Sequence, residues 1–247
     1  KFDQHGLQLD DRLLPANLGE RSDAVAPVLA DLARRGYLSG WRNELFPIVA
    51  RLGHPPSLLV ERAAVAMFGA RGFGVHINGF VRTDDGIAMW VAKRADDKPT
   101  WPGLLDQIVA GGQPAGLGVR ENVTKECWEE AGIDAALASR AQAAGAVSYC
   151  MQTDVGLRPD WLFVFDLELP ADFTPFNTDG EVAAFELWPL SEVADAVAST
   201  RAFKPNCALV IIDFLVRHGF VDSANQDFEA IVTGLHHRDA SRYGTLC

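Results

Sequence analysis

The chain has 247 residues, of which 48% are hydrophobic and 22% charged, enough to bury a substantial core in one large domain or two small ones. Its formal net charge is −11 and its sequence pI is about 4.9. These values argue against a nucleic-acid polymer as partner, because such a partner requires a basic surface. A small phosphorylated ligand stays possible, since a bound metal and a few local bases can hold it.

No apolar run approaches the ~20 residues of a membrane-spanning helix, and Asp213 interrupts the segment ALVIIDFLV. The chain does not open on a basic and then apolar signal, and it begins with Lys1 rather than Met, which suggests a trimmed chain. The sequence therefore predicts a protein that does not bind membranes.

The four cysteines are scattered, without a CxxC pair or a His/Cys ligand spacing. They are Cys127, Cys150, Cys207 and Cys247. We expect neither a disulfide framework nor a zinc site, and Cys127 is expected to pack as a small hydrophobic residue. Reduced thiols favour a cytoplasmic location.

Residues 1–70 are predicted to form a small, mostly helical N-terminal region. Apolar residues recur at helical intervals in AVAPVLADLARRGYL and again in LLVERAAVAMF. A loop at Gly53-His54-Pro55-Pro56 separates the two stretches. This region could serve as a lid, as a surface for homodimer formation or as a cap that shapes the substrate site.

From Gly72 the apolar period changes to that of strands. FGVHINGFVRT and GIAMWVAKR read as strands joined by a hairpin turn at Asp84-Asp85-Gly86. Further strands are predicted in QIVAG, GAVSYCMQT, DWLFVFDLEL and AAFELWPL, and helices at 119–131, 191–199 and 205–218. Residues 71–220 are therefore predicted to be an α/β domain with a mixed sheet in an α/β/α sandwich, followed at 221–247 by a C-terminal helix and tail.

The helix at 119–131 places Glu126, Glu129 and Glu130 on one face. Acids three and four residues apart repel each other by a few tenths of a kcal/mol per pair. A hard divalent cation such as Mg²⁺, which takes oxygen ligands, would turn this repulsion into a binding site. Taken alone, the three acids also fit a solvated helix face.

The residues around these acids favour the metal site. Gly111 and Gly112 permit close backbone approach, and Gly118 lies where the helix begins. Glu121 is placed as the third-position acid of a capping arrangement, and Gly132 ends the helix. The apolar face is formed by residues four apart, namely Val119, Val123, Cys127 and Ala131.

The segment KECWEEAGI resembles the second half of the signature of the Nudix hydrolases, Arg-Glu-apolar-x-Glu-Glu-x-Gly-apolar. Lys125 takes the arginine position, and Ile133 is the closing apolar residue. The first half departs from the family, because Leu117 stands where the family has an earlier glutamate and the loop after Gly112 is one residue short. Glu121 is a candidate substitute for that acid.

Four further segments are similar to the Nudix subgroup related to the N-terminal half of fungal thiamin pyrophosphokinase. They are GVHINGFV, KPTWPGLLDQIVAGG, PFNTDGEVAAFEL and FKPNCALVIIDFLVRHG. The resemblance covers most of residues 10–220. Asn122 and Lys125, within the signature segment that is called the Nudix box, are typical of the subgroup. It implies an extra N-terminal domain and a diphosphatase acting on oxidised relatives of thiamin diphosphate, releasing the monophosphate and phosphate.

The resulting hypothesis assigns the metal, Mg²⁺ with Mn²⁺ as an alternative, to Glu126, Glu129 and Glu130, with the carbonyl of Gly111 or Gly112 completing the shell. Glu126 is the candidate for orienting or deprotonating the attacking water, with Glu130 also in the catalytic group. Lys125 is expected to balance these acids, as the equivalent arginine does in the family.

Glu181 is the candidate for a further catalytic acid. It lies in NTDGEV directly before a strand, where many Nudix enzymes bring a loop carboxylate over the metal. A simple turn acid after Asp179-Gly180 is an equal alternative.

Substrate binding is assigned to five residues. His76, Asn78 and Trp101 lie in the segments that match the subgroup, and Trp101 could stack on a heteroaromatic ring. Arg94 and Lys98 follow a strand and could pair with a terminal phosphate. Ordinary packing and solvent exposure are the alternatives for all five.

Two other classes of function stay open besides the hydrolysis of nucleoside diphosphate derivatives. A non-hydrolytic binding or regulatory module is one, although such modules tend to lose box acids and all three helix acids are present here. An isomerase acting on a prenyl diphosphate is the other, and it would leave the phosphate count of its substrate unchanged.

Overall fold

The computed structural model describes residues 2–3, 6–7, 10–13, 15–51, 53–98 and 100–236. Their contacts divide the chain into two compact units. The first holds the described residues among 1–72, 114–116 and 150–160, and the second holds the remainder. Cys247 and the last part of the predicted tail lie outside the described residues.

The first unit combines one long helix with short strand pairs. Its elements are β1 (Phe2–Asp3), β2 (Gly6–Leu7), a 3₁₀ turn (Asp11–Leu13), α1 (Leu18–Arg34), β3 (Leu45–Ile48), β4 (Leu58–Glu61) and a second 3₁₀ turn (Arg62–Ala64). Asn17 caps α1, because its side chain accepts from the Glu20 amide at 3.0 Å and the Glu20 carboxylate accepts from the Asn17 amide at 2.9 Å. Helix α1 confirms the predicted helical N-terminal region.

The prediction of a second helix in this region, over LLVERAAVAMF, is wrong. Leu58–Glu61 forms strand β4, which pairs with β3 in antiparallel register from Leu45↔Glu61 to Ile48↔Leu58. Leu58 and Val60 are buried. A short apolar run is compatible with the periodicity of a helix and with that of a strand. Here the long-range pairing with β3 favours the strand.

The second unit contains most of the regular structure of the chain. In order, its elements are β5 (Phe73–Thr83), β6 (Gly86–Arg94), β7 (Leu105–Gln107), β8 (Val109–Gly112), α2 (Val119–Ala131), α3 (Ala135–Ala138), β9 (Gln142–Thr153), β10 (Gly156–Glu168), β11 (Val182–Pro189), α4 (Leu190–Ser199), α5 (Pro205–Arg217) and α6 (Phe228–Leu235). The tips of β9 and β10 belong to the first unit.

Seven strands form one mixed sheet in the order β11-β6-β5-β10-β9, with β7 on β6 and β8 on β5. Strand β10 runs parallel to β5, whereas β6 and β8 run antiparallel to β5. The β5–β6 hairpin closes with the pair Thr83↔Gly86, which confirms the predicted turn. Because β8 pairs with the first half of β5, it brings Gly111 opposite Val75 beside the start of the sheet.

Helices cover the two faces of this sheet. Val75 and Ile77 of β5 pack with α2, while Phe80 packs with α4 and α5. The buried contribution of α2 consists of Val123, Cys127 and Ala131, and Val119 packs against it. The predicted α/β/α arrangement with a mixed sheet and the predicted apolar face of α2 are both confirmed.

Among the described residues, no helix combines the length and apolar character that crossing a bilayer requires.

Candidate active site

Helix α2, which carries the acids, begins and ends on glycines. The Glu121 carboxylate accepts a hydrogen bond from the Gly118 amide at 3.1 Å, which satisfies a donor that the first turn leaves unpaired. Gly132 has a φ of +64°, and its N–H donates to the Trp128 carbonyl at 3.0 Å. Glu121 thus caps the helix as predicted, and its carboxylate serves the backbone rather than standing beside the other acids.

Two of the three predicted acids are enclosed against strand β8. Glu126 and Glu130 are each 8% exposed, while Glu129 is half-buried. The Ala110 amide donates to the Glu130 carboxylate at 2.7 Å. A β-carbon on Gly111 would lie 2.2 Å from the Glu126 carboxyl carbon, so only glycine leaves room for that carboxylate.

Lys125 partly neutralises the three acids of α2, Glu126, Glu129 and Glu130, which together form the acid face. Its ammonium lies 3.1 Å from a Glu126 oxygen and 2.5 Å from a Glu129 oxygen. Partial burial lowers the pKa of Lys125, but the bonds to Glu129 and Glu126 outweigh it and raise that pKa above its ordinary value. These contacts match the balancing role expected for Lys125.

Burial and crowding of like charge disturb the ionisation of this site. Burial first, and the neighbouring Glu126 second, raise the pKa of Glu130 to about 8, against the opposing bond from Ala110. Burial and the same two acids raise the pKa of Cys127 to about 12, so its thiol is no nucleophile at neutral pH.

The loop that precedes β11 is fastened to the end of α2. The Thr178 amide and hydroxyl donate to the Glu129 carbonyl at 3.0 and 2.8 Å, and the Phe176 amide donates to the Ala131 carbonyl at 3.2 Å. These bonds satisfy carbonyls that the last turn leaves free. They carry Glu181, three residues beyond Thr178, towards the acid face.

Glu181 is within electrostatic reach of the helix acids. Its charge contributes to the raised pKa of Glu130, after burial and Glu126. Burial, with Glu181 and Glu129 adding to it, also raises the pKa of Asp179. Lys98 forms an ion pair with Glu181, and the Lys98 side chain is only 8% exposed.

Asn122 joins the start of α2 to strand β8. Its side-chain amide, which is fully buried, donates to the Gly112 carbonyl at 2.8 Å. Leu117, at the position of the earlier family acid, accepts from the Gln113 side chain through its carbonyl at 2.6 Å. The assignment of the Gly111 or Gly112 carbonyl to a metal stays a prediction.

Of the five predicted substrate-binding residues, Arg94 is fully engaged with the protein. Its guanidinium donates to the Thr100 carbonyl at 2.9 Å, to the Trp101 carbonyl at 3.1 Å and to the Asp106 carboxylate at 3.0 Å. Trp101 has a φ of +53° and is 36% exposed. A bulky residue in the left-handed region costs about 1–2 kcal/mol.

His76 and Asn78 lie inside the domain on strand β5. His76 is 3% exposed and its Nδ1 lies 2.8 Å from the Gln107 side-chain oxygen. Asn78 is fully buried and donates to the Asp166 carboxylate at 3.0 Å. The substrate roles of both residues stay predictions, and the structure gives them protein partners rather than a shared open surface.

The sequence analysis did not predict the buried polar cluster around Asp106. Asp106 is 4% exposed and pairs with Arg94 at 3.0 Å and with Lys204 at 3.3 Å. His76, Asp106 and Cys207 present ligand atoms within 4.8 Å of one another. Because two cations already balance Asp106, a third cation would meet net positive charge, and we assign the cluster a structural role. The acid within LLDQIVAGG is the signal that could have found it.

The donor chemistry of the acids on and near α2 suits a hard divalent cation. Glu126, Glu129, Glu130 and Glu181 offer carboxylate oxygens, the ligands that Mg²⁺ prefers. The burial of Glu126 and Glu130 imposes an electrostatic cost that a bound cation would remove. The soft ligand Cys127 is buried in the apolar cluster next to these acids.

Comparison with known proteins agrees with this geometry. The NUDIX domain family matches residues 72–207, and a domain of unknown function, DUF4743, matches residues 3–72. The chain is 46% identical over 222 residues to Nudix hydrolase 20, chloroplastic, of Arabidopsis thaliana, covering 90% of this chain and 59% of that protein. It is 43% identical over 240 residues to Nudix hydrolase 24, chloroplastic, of the same plant, covering 97% of this chain and 66% of that protein.

Among solved structures, DR0079 from Deinococcus radiodurans is similar, with a TM-score of 0.48, 20% identity and coverage of 68% of this chain and 97% of that one. The chain thus spans about three fifths to two thirds of the two plant relatives. The family match extends over more than half of the sequence and includes the whole acid-bearing helix. The chain belongs to the NUDIX domain family.

Proposed function

We propose that the protein is a Mg²⁺-dependent diphosphatase that cleaves the phosphoanhydride of a small diphosphate. The observation that carries this proposal is the enclosure of Glu126 and Glu130 against the glycine strand, at Ala110 and Gly111. Two buried carboxylates on one helix face are costly unless a cation balances their charge. A module that only binds ligands has no need to keep all the box acids, so the acid set favours catalysis.

In this proposal Glu126, Glu129 and Glu130 would hold the metal, and Glu181, on the loop fastened to α2, would be the further acid. Bound Mg²⁺, with Mn²⁺ as a substitute, supplies charge neutralisation at the phosphate oxygens. Glu126 orients the attacking water and takes its proton. The water oxygen bonds to phosphorus as the bridging P–O bond breaks, which leaves a monophosphate and inorganic phosphate.

The substrate that we propose is a relative of thiamin diphosphate, in particular an oxidised one. Support comes from the four segments around the box that resemble the thiamin pyrophosphokinase-related subgroup. Nucleoside diphosphate derivatives are the second candidates. The cytoplasmic location stays a prediction. The two plant relatives are named as chloroplastic, and that location is stated of them alone.

One assay tests both levels of the proposal. The purified protein is incubated with Mg²⁺ and oxidised thiamin diphosphates, thiamin diphosphate, nucleoside diphosphate sugars or dinucleotides, and products are identified by chromatography. We expect Mg²⁺-dependent release of phosphate, with the oxidised thiamin compounds preferred, and at least a 100-fold loss in Glu126→Gln. Turnover of only the nucleotides would reject the thiamin assignment, whereas binding without turnover would reject the diphosphatase.

A further inference from the structure

Trp101 adopts a backbone conformation that its residue type disfavours. Its φ of +53° lies in the left-handed region, where bulky side chains are rare. It also precedes Pro102, and a residue before proline is pushed towards an extended backbone instead. Such a conformation persists only where the surroundings impose it, and it is concentrated at functional sites.

Arg94 binds the backbone in this conformation. It donates to the carbonyls of Thr100 at 2.9 Å and Trp101 at 3.1 Å, so it grips two consecutive peptide groups. The third contact of Arg94 is with the buried Asp106 at 3.0 Å. Asp106 in turn is fixed by Lys204. The loop is therefore held by a guanidinium that is itself anchored in the interior.

The indole ring of Trp101 is partly open to solvent. Trp101 is 36% exposed, which is high for a tryptophan. Within the described part of the chain, no aromatic ring stacks on Trp101 and no group accepts a hydrogen bond from its indole N–H. The backbone of Trp101 is held by Arg94, and part of its ring is accessible from solvent.

The same loop is attached to the acid face. The Ala95 amide donates to the Glu181 carbonyl at 3.0 Å, and Lys98 forms an ion pair with the Glu181 carboxylate. Trp101 follows Lys98 by three residues, so their Cα atoms are at most about 11 Å apart. The segment that carries Trp101 is therefore joined directly to the loop that carries Glu181.

We infer that Trp101 is a specificity-determining residue that stacks on a planar heteroaromatic ring of the substrate, and that Arg94 is its positioning residue. This inference rests on the proposed function and deepens it, because it selects diphosphates with a ring over those without one. It also gives Arg94 a role other than phosphate binding. Stacking on a rigid indole needs no base-specific hydrogen bonds, so the ring class and not one compound is recognised.

The test compares Trp101→Gly and Trp101→Phe with the wild type on thiamin diphosphate, which carries rings, and on inorganic pyrophosphate, which does not. In Trp101→Gly we expect the ratio of kcat/KM for the two compounds to fall about tenfold, through KM for thiamin diphosphate. Trp101→Phe should retain most of the ratio. Because glycine accepts a positive φ, Trp101→Gly should keep the loop conformation, and the assays are run well below the Tm of each variant. Tyr37→Gly, which removes an exposed ring from the first unit, is the control.

Arg94→Lys should lower the kcat/KM ratio as Trp101→Gly does, because the lysine ammonium lacks the planar guanidinium that donates to two carbonyls at once. The double variant Arg94→Lys with Trp101→Gly should show no further loss, since both changes remove the same ring position. Additive losses would overturn the positioning role. An unchanged ratio in Trp101→Gly, or a lowered Tm with equal losses on both compounds, would overturn the role of Trp101.

If the wild type hydrolyses neither of these two compounds, titration calorimetry of thiamin diphosphate with Mg²⁺ decides the inference. The proposed function fails only if the oxidised thiamin diphosphates and the nucleotides of its own assay are not hydrolysed either. A dissociation constant about tenfold higher in Trp101→Gly than in the wild type supports stacking. Equal constants, or no binding to the wild type, overturn it.

Discussion

The Glu126 carboxylate occupies the space that a β-carbon on Gly111 would need, with only 2.2 Å between that carbon and the carboxyl carbon. A glycine in strand β8 thereby determines where an acid of helix α2 can lie. The contact links the two halves of the box, which are separated by a loop in the sequence.

Gly111→Ala should lower turnover about 100-fold, because the added methyl group displaces the Glu126 carboxylate by about 1 Å or more. The carboxylate is the far end of a flexible side chain, so the fold should persist with only a modest loss of Tm. Steady-state kinetics and thermal unfolding measure the two effects. Gly234→Ala, where open space surrounds the new methyl group, is the control, and wild-type turnover in Gly111→Ala would contradict the contact.

Without metal, stability should decrease as the pH rises from about 4.5 to about 8. Burial, followed by Glu126, raises the pKa of Glu130 from 4.5 to about 8 in the folded state, so the folded protein holds a proton that the unfolded chain has released. In EDTA, Glu130→Gln should remove this decrease and be the more stable protein at pH 8, by on the order of a few kcal/mol. Urea unfolding at pH 5 and pH 8 measures it, and parallel pH profiles for both proteins would refute it.

Glu181→Gln should lower turnover at least tenfold and raise the Mg²⁺ concentration needed for half-maximal rate, because it removes a carboxylate from the acid face. Folding should be intact, since Lys98 retains the side-chain oxygen of glutamine as an acceptor. Glu192→Gln, an exposed acid at the start of α4, is the matched control. Normal turnover in Glu181→Gln would remove this residue from the mechanism.

Asp106→Asn should lower the free energy of unfolding by about 3 kcal/mol, because Arg94 and Lys204 lose the charge that balances them. Their side chains are only 12% and 14% exposed. Glu168→Gln is the contrasting variant, since its ion pair with Arg82 is on the surface and contributes less than about 1 kcal/mol. Equal losses of unfolding free energy in the two variants would show that Asp106 stabilises the fold no more than a surface ion pair does.

Local signals were sufficient for helix α2. Its predicted range, 119–131, agrees with the observed Val119–Ala131 because Gly118 and Gly132 mark the two ends within the sequence itself. The same local logic was wrong for the stretch after Ser57, where pairing with a strand thirteen residues earlier overrides the apolar period. Local preference decides an element only when no distant partner competes for its backbone.

The sequence by itself determined the acid helix and the hydrophobic pattern of the sheet, because each rests on spacing within one segment. The family followed from the resemblance of KECWEEAGI to the Nudix signature. Only the tertiary structure decided which acids are enclosed, that Arg94 holds a peptide loop, and that Trp101 is partly exposed with a disfavoured backbone conformation. Asp106 and Lys204 are 98 residues apart in the chain and 3.3 Å apart in the fold. Burial and charge pairing of this kind arise only when distant segments pack together, and no local pattern encodes them.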